Sequence, residues 1–502
     1  MKSSPAEGAP FVKILPLVVV AVVVSPLLRI GIVWLTALWA VVTASALLLH
    51  RYRWGGVLAA LAVMMTAIIV VDLRHSGSVP PLDRQIEMVV KVNDTQPTGG
   101  KWLRSTAELE RFRTPESDWQ PSLKLLVLYA DTAAGIEIGG RYDFCGRILP
   151  LSREGLYEGY ARLMHHRGYV GSCFVNADGT TEVLAPDLRG LVVAARKTQH
   201  AAAKRFDQLN MPADCAAVAK AMTLGLRSSI DQQLKEGYAR SGTAHLLAVS
   251  GLHVGIVVML LNALLYLLPA LGRNGHIIKN IIVIVVIWLY ALLTGLSPSV
   301  VRAAVMFTAL QVGLATGGYR SATNILFAAA SIMLLLNPDY LYDISFQLSF
   351  LAVAGIAVGF GPLMHLVESR SRLLNLFWGV FIVGLCSTLA TAPLTACQFG
   401  RISLPGIFIN PVVIVLANIV VLLSLVWIAL PIASLGGLFG KAIALTAGAQ
   451  NKIVEWTGAQ SWASWQIELP VWATITFYAA ATIAIIALYS LKRREKDWKL
   501  MR

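Results

Sequence analysis

Charged residues are scarce in this sequence of 502 residues: they make up 14% of it, whereas hydrophobic residues make up 56%. A soluble globular protein carries roughly 25% charged residues. The shortage excludes an ordinary soluble domain as a description of the whole chain. Several apolar runs reach the roughly 20 residues that a helix needs to cross a bilayer. The composition therefore indicates a polytopic membrane protein.

Cysteine is also rare, with five residues and no CxxC motif or Cys/His cluster. This absence argues against a zinc or iron-sulfur site, and we expect no metal or other cofactor. Cys215, Cys386 and Cys397 lie in apolar helical sequence, which is typical of small buried residues. Cys145 and Cys173 lie in β-like runs. They form a disulfide in one interpretation, if that region is outside the cytoplasm, and remain free thiols in the other.

Nucleotide-binding motifs are absent as well. Nothing in the sequence resembles a P-loop, whose backbone and lysine would hold ATP phosphates. We therefore expect no ATPase activity in this chain and do not class it as an enzyme.

The apolar runs occur in two groups. The first group lies at 12–28, 30–49 and 54–72. The second lies at 244–270, 277–295, 299–317, 322–336, 345–366, 374–395, 405–434, 437–457 and 471–491. Because some runs are short or broken by Gly and Pro, we expect an α-helical polytopic membrane protein with about 11–12 transmembrane or re-entrant helices.

Basic residues predict the orientation of these helices. The loop HRYR (50–53) and the tail KRREK (492–496) are strongly basic, and such segments stay in the cytoplasm. Both termini are then cytoplasmic, and the segment after the third run lies outside the cytoplasmic membrane. The net charge is +14, and residues 241–502 contribute +8 from 15 basic and 7 acidic residues. This excess suits a polyanionic cargo, although the positive-inside bias accounts for part of it.

Residues 73–190 have a different pattern, with short alternating runs separated by Gly, Pro, Asn and Asp. The runs lie at 87–92, 105–113, 124–130, 141–149, 168–175 and 180–185. Five or six short strands of this kind predict a small β-barrel with an OB-like fold. Its aromatic residues either fill the barrel core or form a platform on which nucleic-acid bases stack. They include Trp102, Tyr142, Phe144, Tyr169 and Phe174.

Helical periodicity returns after residue 190. The segment 191–209 places basic residues among alanines and valines, which is typical of an amphipathic helix on a membrane surface and equally of a solvated helix face. Ser229-Ile-Asp-Gln232 has the form of a capping box. We expect a short helix to begin there and to end near Ser241-Gly242.

Polar residues recur inside the second apolar group, beside helix-breaking Gly and Pro. A charge at the bilayer centre costs about 2.5–3.5 kcal/mol, so such residues face protein or a wet cavity. Arg302 and Asp343 either form a buried ion pair or line a permeation path, and they can do both. Ser250 and His253 share a helix face and raise the possibility of an intramembrane serine hydrolase. The other interpretation is that small residues there allow close helix packing.

Four ordered motifs resemble the ComEC competence-protein family. They are AMTLGLRSSIDQQLKEGYARSGTAHLLAVSGLHVGIVV (221–258), LLTGLSPSVVRAAVM (292–306), NPDYLYDISFQLSFLAVAGI (337–356) and TLATAPLTACQFGRISLPGIFINP (388–411). The segments IGGRYDFCGRI (138–148) and YARLMHHRGYVGSCFV (160–175) are similar to that family's OB-like domain. The resemblance covers almost the whole chain.

The resemblance implies an inner-membrane channel that imports single-stranded DNA during natural transformation. The expected organisation is N-terminal transmembrane helices (1–72), an extracytoplasmic OB-like β domain (73–190), amphipathic connecting helices (191–241), a competence-type transmembrane channel domain (242–491) and a basic cytoplasmic tail (492–502). The motif positions that become candidates for the channel lining are His245, Ser250, Gly251, His253, Ser297, Pro298, Ser299, Arg302, Asp343, Gln347, Ser349, Gln398 and Asn410.

The resemblance also implies partners. Many family members continue into a metallo-β-lactamase-like domain, and this sequence has no HxHxDH run before Arg502. We therefore expect a separate nuclease, an extracytoplasmic DNA receptor, and a cytoplasmic ATPase, helicase or DNA-binding protein. The alternatives are a polytopic small-solute transporter, which predicts two related halves with matched broken helices, and the hydrolase that uses Ser250 and His253.

Overall fold

The computed structural model describes most of the chain. The described residues are 10–25, 32–48, 55–75, 78–97, 102–151, 161, 164–165, 168–176, 180–184, 190–267, 274–315, 322–367, 370–430 and 433–500. Within them the protein is mainly helical and carries one large β-sheet.

Among the elements that the structure describes in full, three helices precede the sheet and twelve follow it. The helices are α1 (Pro10–Val24), α2 (Ile32–Leu48), α3 (Gly55–His75), α4 (Leu191–Phe206), α5 (Ala213–Leu224), α6 (Gln232–Arg240), α7 (Gly251–Leu264), α8 (Gly275–Leu293), α9 (Pro298–Ala315), α10 (Ala322–Leu336), α11 (Ile344–Met364), α12 (Arg372–Phe399), α13 (Gly406–Ala429), α14 (Gly436–Ala459) and α15 (Val471–Leu500). The strands are β1 (Gln85–Pro97), β2 (Trp102–Arg113), β3 (Gln120–Asp131), β4 (Arg141–Arg147), β5 (Tyr169–Val175), β6 (Thr180–Leu184), β7 (Arg401–Ser403) and β8 (Ser464–Gln466).

The large sheet has six strands in the order β5-β3-β2-β1-β4-β6. All neighbours are antiparallel except β3 and β5, which run parallel. Leu149 exchanges two hydrogen bonds with Ser172, at 2.7 and 2.8 Å, so the segment after β4 reaches β5. These bonds do not close the sheet, and β5 and β6 remain at its edges. The six predicted strands therefore form, but the predicted OB-like barrel is not confirmed.

Alternation along β2 shows how the sequence builds this sheet. Ser105, Ala107 and Leu109 are buried at every second position, because successive side chains of a strand point to opposite faces. A register irregularity between Leu109 and Arg111 then shifts the phase by one residue. Because of this shift, the Phe112 side chain points into the core. Without it, the ring would point to solvent.

Helices α1, α3, α10 and α11 share a second apolar core. Val22, Ala67, Met333 and Phe346, one from each helix, are buried in the same cluster. Helices are the expected form for such apolar sequence, since a helix satisfies its own backbone hydrogen bonds where no water is available.

Four helices are long and apolar enough to cross a membrane. They are Gly275–Leu293, Ile344–Met364, Leu374–Phe399 and Gly406–Ala429. Seven shorter apolar helices accompany them among the described residues: Ile14–Val24, Leu35–Ala46, Val57–Leu73, Gly251–Leu264, Pro298–Leu314, Asn324–Leu336 and Val471–Ile485. Helix α14 belongs to neither set. Lys441, Gln450, Asn451, Lys452 and Glu455 lower its hydropathy, so the predicted apolar run at 437–457 forms a helix without that character.

The predicted capping box at Ser229 is wrong, although the short helix forms. Helix α6 begins at Gln232, because Asp231 is its N-cap and accepts a hydrogen bond from the Gln233 amide at 2.7 Å. The carboxylate also suits the positive end of the helix dipole. The helix ends at Arg240, with Ser241 as its C-cap, as predicted.

The chain divides into two compact units. The first unit comprises Met1–Ile230, Leu246–Phe350 and Ala417–Ala447. The second comprises Asp231–His245, Leu351–Leu416 and Gly448–Arg502. The six-stranded sheet and helices α1 to α5 belong to the first unit, and the two-stranded β7-β8 sheet belongs to the second.

Candidate functional site

Ser250 is the N-cap of α7, and its partner is His253. The Ser250 hydroxyl oxygen accepts from the His253 backbone N–H at 3.3 Å, and the Ser250 backbone N–H donates to His253 Nδ1 at 3.3 Å. These two bonds form a reciprocal capping box. Because Nδ1 is the acceptor, the proton of the neutral imidazole lies on Nε2. The hydroxyl faces a backbone amide rather than the imidazole, so the pair lacks the nucleophile-base hydrogen bond of a serine hydrolase.

The start of α9 lies against the start of α7. The Ser299 hydroxyl donates to the Val249 carbonyl at 2.7 Å. A Cβ on Gly251 would lie 3.7 Å from the Ala303 Cβ, so the two helices approach closely at that point. Two polar loops that are about fifty residues apart in sequence therefore bring their helix amino termini together.

Arg302 lies one turn into α9 and is almost fully buried, with 4% of its surface exposed. Its Nη2 donates to Ser345 Oγ at 3.0 Å, near the start of α11. Asp343, two residues earlier, supplies negative charge to the guanidinium. Among the described residues, Nε and Nη1 of Arg302 have no hydrogen-bond partner. The side chain thus carries a charge and two unsatisfied donors in a buried position.

Asp343 and Gln347 organise the start of α11. Asp343 Oδ1 accepts from the Phe346 backbone N–H at 3.0 Å, which makes Asp343 the N-cap. Gln347 Nε2 donates to the Leu341 carbonyl at 2.7 Å and holds the preceding 3-10 turn against the helix. Ser349, two residues after Gln347, is half-buried. Asp343 is therefore a capping residue as well as a charge beside Arg302.

The structure brings most of the predicted site residues into one cluster within the first unit. We define this as the amino-terminal cluster, formed by the starts of α7, α9 and α11. Its predicted members are Ser250, Gly251, His253, Ser297, Pro298, Ser299, Arg302, Asp343, Gln347 and Ser349. His245, Gln398 and Asn410 belong to the second unit. Helix amino termini present unpaired N–H groups and a partial positive charge, so the cluster favours anions.

The three predicted residues of the second unit lie in different surroundings. His245 is exposed in the 3-10 turn Ala244–Leu247. Gln398 is exposed near the end of α12 and lines a cavity of about 490 Å³ with Glu468. Asn410 is buried in α13, directly before Pro411, and its Oδ1 has no hydrogen-bond partner among the described residues.

A larger polar cavity in the second unit was not predicted from the sequence. Its volume is about 590 Å³, and it is lined by Glu236, Arg240, Phe399, Gly400, Arg401, Ser464, Gln466 and Glu468. Arg401 Nη1 lies 2.9 Å from Glu236 Oε1, so its charges are partly paired. The pairing of β7 with β8 assembles this lining from segments about sixty residues apart. No local motif marks such a combination, which explains why sequence reasoning missed it.

Exposed tryptophans surround the two-stranded sheet. Trp462, Trp465 and Trp472 expose more than half of their surfaces just beyond the end of α14 and at the start of α15. Tryptophan is enriched where membrane helices meet the headgroup region.

Helices α6 and α14 are joined in the second unit by a buried polar network around the Tyr238 hydroxyl. The Tyr238 hydroxyl donates to Asn451 Oδ1 at 2.8 Å and accepts from Gln450 Nε2 at 2.9 Å. A Cβ on Gly458 would lie 2.8 Å from the Gly237 carbonyl oxygen, so the two backbones are nearly in contact. Both possible roles of the buried hydroxyl are filled, as expected of a structural polar group.

The aromatic residues of the sheet separate into two sets. Tyr142 and Phe144 are buried in the core, whereas Phe174 is 52% exposed. Phe174 stacks on Tyr129 with ring centroids 5.1 Å apart and meets Trp102 edge to face at 5.5 Å. Arg104 pairs directly opposite Tyr129. Trp102 and Phe174 are predicted from the sequence, but Tyr129 is not, because only the strand order reveals that it is their neighbour.

Cys145 and Cys173 are free thiols in the structure, so the predicted disulfide is not formed. Cys173 is buried, and a Cβ on Gly146 would lie 2.8 Å from its Sγ. Cys145 is exposed because it follows the buried Phe144 on β4, and adjacent residues of a strand point to opposite faces. Burial raises the pKa of the Cys173 thiol to about 11. Among the described residues, no three His, Cys, Asp or Glu side chains form a group that suits a metal ion.

Long apolar helices, an attached β-sheet and buried polar groups within the helical part define a helical membrane protein with a folded β domain. A family model described as competence protein matches residues 222–492, which is more than half of the chain. The chain therefore belongs to the competence protein family.

Three curated relatives match parts of the chain. ComE operon protein 3 of Bacillus subtilis (strain 168) is 31% identical over 206 residues, which are 41% of this chain and 25% of that protein. An uncharacterized protein of Aquifex aeolicus (strain VF5) is 27% identical over 188 residues, 37% of this chain and 41% of that protein. The uncharacterized protein YcaI of Escherichia coli (strain K12) is 31% identical over 145 residues, which are 28% of this chain and 19% of that protein. The chain thus spans less than half the length of each relative. No solved structure matches it significantly.

Proposed function

We propose that the protein is a channel of the cytoplasmic membrane that admits single-stranded DNA during natural transformation. Membership of the competence family and the likeness to ComE operon protein 3 support this role. A phosphate cannot enter hydrocarbon without losing its hydration, so the strand needs a polar path with groups that replace its counterions.

The buried Arg302 in the amino-terminal cluster is the observation that carries the proposal. Each unsatisfied buried donor costs about 1–3 kcal/mol. Arg302 keeps two such donors while its third nitrogen is bonded to Ser345 at the amino terminus of α11. Donors held ready in a position that favours anions are suited to a passing phosphate.

Asp343 adapts this arrangement to transport. Its carboxylate offsets part of the Arg302 charge and does not remove it. A conduit must attract its cargo enough to admit it and weakly enough to release it. An arginine with a nearby aspartate meets both requirements better than an isolated cation would.

The β domain has the role of first contact with the strand in this proposal. Phe174, Tyr129 and Trp102 form an aromatic row in which Phe174 is exposed and the other two are half-buried, and Arg104 lies opposite Tyr129. Such rows accept stacked bases, and stacking contributes about 1–3 kcal/mol per base. An OB-like function therefore does not require a closed barrel. We expect weak, salt-sensitive binding.

The orientation and the partners follow from this function. Both termini face the cytoplasm, and the β domain faces outward, where an extracytoplasmic receptor delivers DNA. Force comes from a cytoplasmic ATPase, helicase or DNA-binding protein, or from the membrane potential, and another protein degrades the second strand. Cysteines placed at the loop HRYR (50–53) and in the β domain should react with a membrane-impermeant maleimide only in the β domain of intact cells.

Deletion of the gene tests the function directly. We expect transformation to be abolished while fluorescent DNA still binds the cell surface, and a plasmid copy of the gene should restore uptake. Normal transformation in the deletion strain would refute the proposal. For the β domain, the Phe174→Ala variant of the full protein should bind labelled single strands more weakly in detergent across a range of salt. The variant Val170→Ala on the same strand is the control.

A further inference from the structure

Gln199 of α4 closes the ends of two other helices. Its side chain is buried, with 1% exposed. Nε2 donates to the Leu224 carbonyl at 2.6 Å and to the Thr294 carbonyl at 3.1 Å. Leu224 is the last residue of α5, and Thr294 is the C-cap of α8. Carbonyls at helix carboxyl ends lack partners within the helix, so a single amide group satisfies one from each helix.

The same glutamine is tied to the β-sheet through Arg196. Arg196 Nη1 donates to Gln199 Oε1 at 3.0 Å. Arg196 Nη2 lies 3.6 Å from Asp94 Oδ2 on β1. Asp94 is 8% exposed, so this pair is shielded from solvent more than a surface ion pair. A continuous set of contacts, which we call the Asp94–Gln199 contact chain, joins the sheet to the carboxyl end of α8.

The contact chain ends on a constrained turn. Gly295 and Leu296 have φ angles of 65° and 55°. A Cβ at Gly295 would lie 2.4 Å from Gln199 Oε1 and 2.8 Å from Arg196 Nη1, so only glycine fits. Leucine rarely adopts this left-handed backbone conformation, and surrounding contacts must hold it there. Leu296 is followed at once by Ser297, Pro298 and Ser299, which begin α9 and lead to Arg302.

We propose that Gln199 and Arg196 are positioning residues that use the β-sheet to fix the 294–297 turn, and with it the placement of Arg302. The inference rests on the proposed function and deepens it: the β domain sets the geometry of the conduit as well as meeting the strand. Asp94 does not touch the turn, yet its effect reaches the turn through Arg196.

Hydrogen exchange and DNA uptake test this together. In Gln199→Glu, a carboxylate replaces the donor that faces two carbonyls. We expect amide exchange at 294–297 to rise about tenfold and uptake of labelled single strands to fall, with exchange in the sheet core unchanged. Lys197→Ala, an exposed neighbour on the same helix, is the control and should change neither.

A double-mutant cycle with Asp94→Asn and Arg196→Gln separates positioning from simple folding support. Each single variant should raise exchange at the turn, and the double variant should not exceed the worse single variant, because both break the same contact chain. Additive effects, or altered uptake without altered exchange at the turn, would overturn the inference. If Arg302→Met abolishes uptake while the Gln199 variants transport normally, this inference fails and the proposed function stands. Normal uptake in Arg302→Met would instead count against the proposed function.

Discussion

The buried hydroxyl of Tyr238 in the second unit and the buried guanidinium of Arg302 in the first differ in how far their hydrogen-bonding atoms are satisfied. Around Tyr238 in the second unit, the hydroxyl both donates and accepts, to Asn451 and from Gln450. Around Arg302 in the first unit, one donor is bonded to Ser345 and two have no partner among the described residues. A satisfied hydroxyl stabilises packing, whereas donors left unsatisfied on a buried charge carry a free-energy cost. The comparison distinguishes a polar residue that holds two helices together from one for which we propose contact with the cargo.

Replacement of Arg302 should have the largest effect on DNA uptake. Unchanged uptake would contradict the difference that we infer between Arg302 and Tyr238. We expect Arg302→Met to lower DNA uptake about 10- to 100-fold, since a charge-assisted hydrogen bond contributes about 1.5–3 kcal/mol. Arg302→Lys keeps the charge but lacks the planar guanidinium, so its DNA uptake should lie between that of the unchanged protein and that of Arg302→Met. Uptake of labelled single strands is measured at matched protein levels. Arg372→Met, which removes an exposed arginine, should leave uptake unchanged.

Gly458 tests the close packing of α14 against α6. In Gly458→Ala the new methyl group would meet the Gly237 carbonyl, so α6 must shift at a cost of about 1–3 kcal/mol. Thermal unfolding in detergent should show the loss. Gly437→Ala on the same helix has no atom within 4 Å of the new Cβ and serves as the matched control. Equal melting temperatures for the two variants would contradict the close approach.

Tyr238→Phe removes only the hydroxyl that bonds Asn451 and Gln450. We expect a loss of about 1–3 kcal/mol, because Asn451 and Gln450 each lose a buried partner. Uptake per folded molecule should stay normal, in contrast to Arg302→Met. A variant with normal stability and impaired uptake would assign Tyr238 to transport and remove the distinction between the two regions.

Ser250→Ala should have a smaller effect. Loss of the N-cap of α7 costs about 1 kcal/mol, and Ser250→Asn, which can still cap, should recover most of it. Uptake should persist in both variants. An intramembrane hydrolase would behave differently, with function abolished by Ser250→Ala while the fold is intact.

The cysteines give the smallest effect, and they test the sheet alone. With its pKa raised to about 11, Cys173 is about 0.1% thiolate at pH 8 and gains about tenfold for each pH unit above that. Maleimide should therefore label Cys145 rapidly and Cys173 slowly, with the slow rate rising with pH. Protection of both residues until a reductant is added would reveal a disulfide.

Periodicity and local motifs predict most of the helices and strands. Alternating runs in 73–190 predicted the six strands, because a strand that is buried on one face must alternate. The Ser250-His253 spacing predicted a shared helix face, but only the coordinates distinguish a cap from a catalytic pair. Tyr129 and Gln199 were missed, since their roles depend on segments that lie far away in sequence. The start of α6 was placed two residues early, because Asp231 competes successfully with Ser229 for the cap.

The tryptophans beside the two-stranded sheet set a requirement on the lipid. The apolar part of α12, Leu374–Phe399, has 26 residues, and at 1.5 Å per residue it is about 39 Å long, longer than the roughly 30 Å of a bilayer core. Trp465 and Trp472 are residues suited to the headgroup level at one end of this region. A helix of this length in such a bilayer has to tilt, bend, as Pro393 allows, or thicken the lipid around it.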